Sequence, residues 1–547
     1  MAYTKPGVEV TQVINNPTTT LITPDLYACV IGKGYWWQNP IWDNSDDALH
    51  NSVYGTLYEN VELVVALSGI NATHYDVADA NSVVVTLLGR SGAATGVVSH
   101  LTKDTEFSVN TSTNVVTISG SIIAGTSDVK IGYLSNNINS EGFKTLESIA
   151  DIKSEIGEPV TFNPLAFGTF VAMTNSNVAT TTWGISGTQT VVTALPALET
   201  KEIYALAPMQ NLSSGNITSY KTHCDSMSLA VNKKERTAYV NRVITWTGTP
   251  YGTTSSDLTT TAETIRDANA AFAAKRIFSN HPDVGYVLEN RPIATIHPTW
   301  IQNNFDKSGE AQSAALTSIN FVTYGLQAKL ANDIKSGGVT YKAGTKITST
   351  IWDTLVGDNT AWGEAESYTV YAPVPGFYQN AMYAGLRVGL NPEQPLTNIA
   401  GAGIDQIVGS TDTFSETQLN TIAAGGTFIL NQANIVAPIT CRHQLSTDMT
   451  SAQRRENSIT SAVDFVAKFL RDTIDPYIGR STISPAFLEL IETILFGTGR
   501  FLKKEGRIND LRVVSIEQDS ISPDTLNIEV DILVKYPVNY IRITLQY

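Results

Sequence analysis

The chain has 547 residues, enough for about three or four domains at roughly 150 residues each and for several substantial cores. Hydrophobic residues make up 42% and charged residues only 16%, under the roughly 25% charged content of an average soluble domain, and with a mean hydropathy of −0.04 this excludes a disordered chain and calls for a surface rich in Thr, Ser, Asn and Gln. Lys and Arg number 36 against 51 Asp and Glu, and the net charge of −15 repels a phosphate backbone, which argues against general nucleic-acid binding.

The first ten residues lack the charged-then-apolar layout of a signal peptide, and no uninterrupted apolar run approaches the ~18 residues of a membrane span. Cys29, Cys224 and Cys441 are odd in number, far apart and in no metal spacing. A reducing compartment is therefore expected, with neither a disulfide framework nor a zinc site, in a soluble protein that matures in a cytoplasm.

Residues 6–13 alternate briefly, with Val8, Val10 and Val13 as apolar positions, before Asn15, Asn16 and Pro17; they read as an extended arm with one short strand. An apolar strand-like run over 27–34 ends in Gly32 and Gly34. The aromatic cluster Tyr35, Trp36, Trp37 and Trp42 follows, read as core or subunit-contact packing or, more sharply, as a sugar-binding surface. From 62 to 133 the composition turns to Val, Thr, Ser and Gly, with period-two runs at 82–88, 106–110, 115–119 and 128–133. This pattern predicts an inserted antiparallel β module.

Between 140 and 298 the order is strand-like 201–207, helical 217–234, strand-like 237–246, helical 261–275 and strand-like 283–289. The second helix carries Ala262, Ile265, Ala268 and Phe272 at near-helical spacing, and the β-α-β-α-β order favours a layered α/β sheet. A helix over 311–334 and the turn-rich Ser336-Gly337-Gly338 come next.

Beyond Pro373 the signals sharpen. Ile459, Ala462, Val463, Val466 and Leu470 line one face of a helix that begins near Arg455. The next helix has Ser484 as cap, Pro485 in its first position and a predicted stop at Gly497. Three strands close the chain. The first is 511–517, with Val513 among its apolar positions; the second is 526–535, with Ile528, Val530, Ile532 and Val534 on one face, ended by Pro537. The third, 540–547, begins at Tyr540 and alternates Ile541, Ile543 and Leu545 against Arg542, Thr544 and Gln546. A half-apolar strand in that position needs a sheet edge to join.

Chemistry is scarce. No His-Glu-x-x-His, nucleophile elbow or phosphate loop occurs, and Lys342-Ala343-Gly344-Thr345-Lys346 lacks the first glycine of such a loop. His223, Cys224 and Asp225 adjoin on a predicted helix, where successive side chains point different ways, so no metal, cofactor or catalytic site is expected there. Arg500, Lys503, Lys504 and Arg507 form a basic knot carrying about +3 after Glu505, read either as a solvated helix end or as a docking patch for an acidic partner.

Several of these features together resemble the tail sheath proteins of contractile phages and related contractile injection systems. The resemblance rests on Pro6-Gly7-Val8-Glu9-Val10, on Pro375-Gly376 through Gly389 with Asn391-Pro392, and on Glu416-Thr417-Gln418-Leu419-Asn420 leading to Gly425-Gly426 and Ile429. Arg454-Arg455 and the two-helix, three-strand ending complete it. It covers the C-terminal third and the N-terminal arm, extends to the α/β middle and leaves out the β insertion.

What the resemblance implies is a mixed α/β (α+β), multidomain fold: a layered α/β sheath core, a C-terminal helix-plus-sheet domain, extended terminal β arms and an inserted all-β domain. The expected parts are an arm over 1–25, the start of the core over 26–60 and the β insertion over 61–135. An α/β middle follows over 136–372, then the C-terminal domain over 373–536 and a β arm over 537–547.

The implied role is a non-enzymatic subunit of stacked hexameric rings forming a helical homopolymer around an inner tail tube, with baseplate and tail terminator proteins as further partners. No cofactor, direct nucleic-acid contact or membrane insertion is expected, and the location is a virion tail assembled in a host cytoplasm. In that family, arms such as Val8, Val10 and Val13 and Tyr540, Ile541, Ile543 and Leu545 join a neighbour's sheet, here Val513, Ile528, Val530, Ile532 and Val534. Arg500, Lys503, Lys504 and Arg507 would face the tube. The competing reading is a receptor- or glycan-binding tail or baseplate component using Trp36, Trp37, Trp42 and the β module.

Overall fold

The computed structural model describes residues 26–38, 41–43, 63–66, 83–90, 98–101, 104, 107–110, 115–118, 126–136, 138–186, 189–242, 255–282, 284–298, 326–336, 338–357 and 367–545. They fall into two compact units: a larger one, 26–461 with 536–545, and a smaller one, 462–535. The architecture is mixed α/β with several sheets.

The larger unit is built on one long sheet, in the order Gly142–Leu146, Thr180–Gly184, Ala28–Gly32, Ala205–Pro208, Thr237–Arg242, Ile277–His281, Thr427–Asn431, Ile439–Cys441, Ala400–Gly401. From Thr180–Gly184 to Thr427–Asn431 neighbouring strands are parallel, and antiparallel strands lie at both margins. Ala28–Gly32 is buried throughout because the sheet is covered on both faces, which is why it reads as a continuous apolar run rather than an alternating one. Val30, Tyr239, Phe278 and Phe428 pack against the helices Pro164–Thr174 and Tyr378–Gly389, whereas Cys29, Ile31, Val240 and Ile277 pack against Ser214–Met227. The helices Pro164–Thr174 and Tyr378–Gly389 approach so closely that a Cβ on Gly385 would lie 2.2 Å from the Ala172 carbonyl oxygen, so only glycine fits there.

The β-α-β-α-β order is realised by Ala205–Pro208, Ser214–Met227, Thr237–Arg242, Ser255–Ala270 and Ile277–His281. Its last strand differs from the expected 283–289. Val284–Pro292 lies instead in a separate antiparallel sheet with Ser367–Pro375, Gln406–Val408 and Lys329–Leu330, over a core that includes Trp352 and Leu355. The expected helix over 311–334 falls outside the described residues up to 325; the remainder carries the strands Lys329–Leu330 and Ile334–Ser336, because Leu330 is drawn into that second core. Near it, the buried or nearly buried Glu289 accepts hydrogen bonds from Thr161 N at 3.0 Å and Thr161 Oγ1 at 2.5 Å, and pairs with Arg291 at 3.3 Å.

The four period-two runs of the β module appear as Val84–Arg90, Phe107–Asn110, Val115–Ile118 and Thr126–Asn136, all in antiparallel pairings. Tyr35–Gln38 and Ile41–Asp43 also pair with Thr126–Asn136, placing Trp36, Trp37 and Trp42 opposite Ser135, Leu134 and Val129. The aromatic cluster thus shares a sheet with the module.

The smaller unit contains the helix Asn457–Ile474 from Ala462 onward, the helix Pro485–Lys504 and the strands Asp510–Gln518 and Leu526–Leu533. Phe465, Val466, Phe469, Leu502, Ile508 and Leu511 form its core, with the Phe469 and Phe501 rings stacked at 5.7 Å. Val463, expected on the buried face, points outward; Phe465 and Phe469 take that stripe. Ser484 accepts from the Phe487 amide as the expected cap. The helix continues past Gly497 to Lys504, since Leu495, Thr498 and Leu502 keep its buried face packed and Gly499 admits Leu511, whose Cβ would stand 3.2 Å from an added Cβ. Among the described residues no helix is long and apolar enough to cross a membrane.

Candidate assembly surfaces

In the smaller unit the two closing strands pair antiparallel from Asp510↔Leu533 to Gln518↔Leu526, with a bulge at Val514. Along Leu526–Leu533, half-buried and exposed positions alternate, so Ile528, Val530 and Ile532 face the interior side and Asn527, Glu529 and Asp531 the solvent, as the period-two pattern requires. Val513 is half-buried and Val534 buried. The sheet has two strands, so among the described residues the outer edge of each is unpaired. Such edges carry free N–H and C=O groups that template another strand.

Of the basic knot, Arg500, Lys503 and Lys504 are exposed at the end of the helix Pro485–Lys504, where cations suit the helix dipole. Lys503 pairs with Asp510 at 3.1 Å, both well exposed. Arg507 stands apart, half-buried with its guanidinium 5.6 Å over the Phe465 ring. Phe496 is 48% exposed, and its spacing of four and seven residues from Arg500 and Lys503 puts all three on one helix face. Sequence reading passed over Phe496, although this spacing was its signal.

The strand expected over 540–547 is one that joins a neighbour's sheet, and within this chain its described residues stand without a strand partner. Residues 534–545 carry no ladder pairing, and residues 546 and 547 lie outside the described residues. An extended segment becomes a strand only when an edge pairs with it, and no described strand of this chain does so. Tyr540, Ile541, Ile543 and Leu545 are between 78% and 84% exposed. Val8, Val10 and Val13 lie outside the described residues.

The segment is held at its root. Gln453 Nε2 donates to Tyr536 Oη at 2.7 Å, and Asn539 Nδ2 donates to Glu456 Oε1 at 2.9 Å. The Glu456 carboxylate is 1% exposed and also receives His443 Nε2 at 2.9 Å, Arg455 Nε at 3.3 Å and Gln444 Nε2 at 3.2 Å. Burial acts to raise its pKa, but the hydrogen bonds and charge of His443, with Arg455 and Gln444, outweigh it and hold the carboxyl below its ordinary value. Asn539 and Tyr540 line a cleft of about 280 Å³ together with Glu416, Asn420, Arg442 and His443, and Arg442 is bonded there to Glu416 and Asn420.

His223, Cys224 and Asp225 do lie on a helix, and His223 Nε2 faces the buried Arg236 at 2.8 Å. The three cysteines form no disulfide and are buried. Among the described residues no three His, Cys, Asp or Glu side chains are grouped to hold a metal ion.

No protein-family model and no curated protein matches this sequence. Solved structures of contractile systems are similar to it at low identity. The helical sheath of the anti-feeding prophage in its contracted state aligns at 10% identity and a TM-score of 0.44, over 74% of this chain and 88% of that one. The contracted sheath complex of an extracellular contractile injection system aligns at 10% identity and a TM-score of 0.45, over 75% of this chain and 87% of that one. The sheath tail protein of Desulfitobacterium hafniense aligns at 9% identity and a TM-score of 0.37, over 98% of this chain and all of that one (100%).

Proposed function

We propose that the chain is the structural, non-enzymatic subunit of a contractile tail sheath. It polymerises as stacked hexameric rings around an inner tail tube and contracts without nucleotide, driving the tube through a host envelope to deliver a genome. The supporting observation is the pairing of two complementary features among the described residues: an apolar segment, 540–545, with no ladder partner, and a two-stranded sheet with unpaired edges. Donation of Tyr540, Ile541, Ile543 and Leu545 to Val513, Ile528, Val530, Ile532 and Val534 of a neighbour satisfies both, and Val8, Val10 and Val13 supply a second donor strand.

The magnitudes suit a reversible machine. Burying each large apolar side chain contributes about 1.5–3 kcal/mol, while ordering each residue costs about 1–2 kcal/mol. The gain and the cost are of the same order, so one strand addition is weak and the polymer is stabilised by repetition. Contraction requires only that contact free energy differ between two arrangements, multiplied over many copies. Arg500, Lys503, Lys504 and Arg507 meet the inner tube through contacts of about 0–1 kcal/mol each where exposed, which can break during the stroke. Baseplate and terminator proteins bind the polymer's two ends, in a virion tail assembled in the host cytoplasm.

Negative-stain microscopy of the purified chain tests this reading. Tubular polymers are expected, and deletion of residues 540–547 should abolish them while leaving a folded subunit. Discrete particles with measurable glycan affinity would replace it with a receptor-binding role for Trp36, Trp37 and Trp42.

A further inference from the structure

We infer that Glu456 is a positioning residue, the clamp that fixes where the closing segment leaves the larger unit; the inference rests on the strand-donation reading above. One buried carboxylate gathers residues far apart in sequence. His443 and Gln444 follow the strand Ile439–Cys441, Arg455 ends the short helix Ala452–Arg455, and Asn539 comes from 83 positions further along the chain. Oε1 takes His443, Arg455 and Asn539, and Oε2 takes Gln444.

Two side-chain bonds tie the segment down, Tyr536 to Gln453 and Asn539 to Glu456, and Asn539 and Tyr540 line the cleft beside Arg442. The apolar side chains of Val538, Tyr540, Ile541, Ile543 and Leu545 are all exposed. What ends at Asn539 is the side-chain tethering: among the described residues the bond to Glu456 is the last hydrogen bond that ties the segment to the larger unit. A bond to a buried charge is worth more than one between neutral groups. A segment launched from a fixed point reaches its acceptor at a higher effective concentration than one loose over a longer tether.

The test uses the full chain. The native cysteines are buried, so spin labels can be placed on Ile541→Cys and on the exposed Thr222→Cys, and their distance distribution measured in the parent and in Asn539→Ala. Glu456→Gln is the less clean variant, because it also weakens the His443 and Arg455 pairings; Asn539→Ala leaves those intact. Asn539→Asp, which sets a second carboxylate against Glu456, extends the series.

The distribution should broaden in Asn539→Ala and further in Asn539→Asp, with unchanged melting temperature. The concentration needed for polymer growth should rise about tenfold, as expected for loss of one charge-assisted bond. An unchanged distribution in both variants overturns the clamp. A broadened distribution with unchanged polymer growth upholds the clamp and overturns strand donation by this segment.

Discussion

Acidification should weaken the larger unit through two histidines that the fold keeps neutral. His223 receives a hydrogen bond from the Arg236 guanidinium at 2.8 Å, so its Nε2 must be unprotonated. Burial, reinforced by the Arg236 charge, lowers its pKa from 6.5 to about 4. His281 donates Nε2–H to the Gly409 carbonyl at 2.8 Å, and burial likewise takes its pKa to about 4, against the opposing influence of that bond and of Asp412. Because each folded value lies below the unfolded one, the unfolded chain binds protons first. Stability is complete above about pH 6.5 and is lost as pH falls toward 4.

The shift in each corresponds to about 3 kcal/mol when complete and about 2 kcal/mol at pH 5. Two such groups remove about 4 kcal/mol at pH 5, a large share of the roughly 5–15 kcal/mol that stabilises a domain. The assay is urea unfolding of the parent and of His223→Gln/His281→Gln at pH 7 and pH 5. Glutamine can accept from Arg236 and donate to Gly409 without titrating. Burial raises the Glu289 carboxyl, which titrates in the opposite sense, so the comparison is between proteins rather than on the parent alone. The double variant should lose markedly less stability between the two pH values; an equal loss would refute the reasoning.

Gly385→Ala should cost about 1–3 kcal/mol, since its Cβ would overlap the Ala172 carbonyl oxygen at 2.2 Å, and a lowered melting temperature measures it. Glu289→Gln should cost about 3–5 kcal/mol by leaving the buried Arg291 without its countercharge, read by denaturant unfolding. Ile541→Asp/Ile543→Asp should leave subunit stability within about 0.5 kcal/mol, both positions being exposed, yet prevent polymers in sedimentation. Lys503→Glu/Lys504→Glu should also leave the fold intact, the Lys503–Asp510 pair being exposed, while weakening assembly templated on an inner tube, measured by co-sedimentation.

Elements governed by periodicity were the most legible. The β module's four runs and the Ser484-Pro485 helix start emerged because alternation and capping are local signals. Ile277–His281 was missed because its buried strand contains Ser279, Asn280 and His281, polar residues whose partners lie elsewhere. Ser279 bonds to Asn269, Asn280 to Asn380 and His281 to Gly409. No pattern within five residues announces such partners. Gly497 looked like a stop because glycine is a poor helix former, but the buried stripe through Leu495, Thr498 and Leu502 outweighed that preference. For the candidate surfaces, the alternation in Leu526–Leu533 was readable, whereas the Glu456–Asn539 bond depends on tertiary proximity and was not.

A two-stranded ladder whose outer edges are both vacant among the described residues has a stoichiometry. It can take one added strand on each side, so under the donation reading each subunit has a fixed capacity of two. A synthetic peptide spanning residues 540–547 would then behave as a competitive stopper. It would occupy a vacancy without offering one of its own, and would shorten filaments in proportion to its share of the available strands.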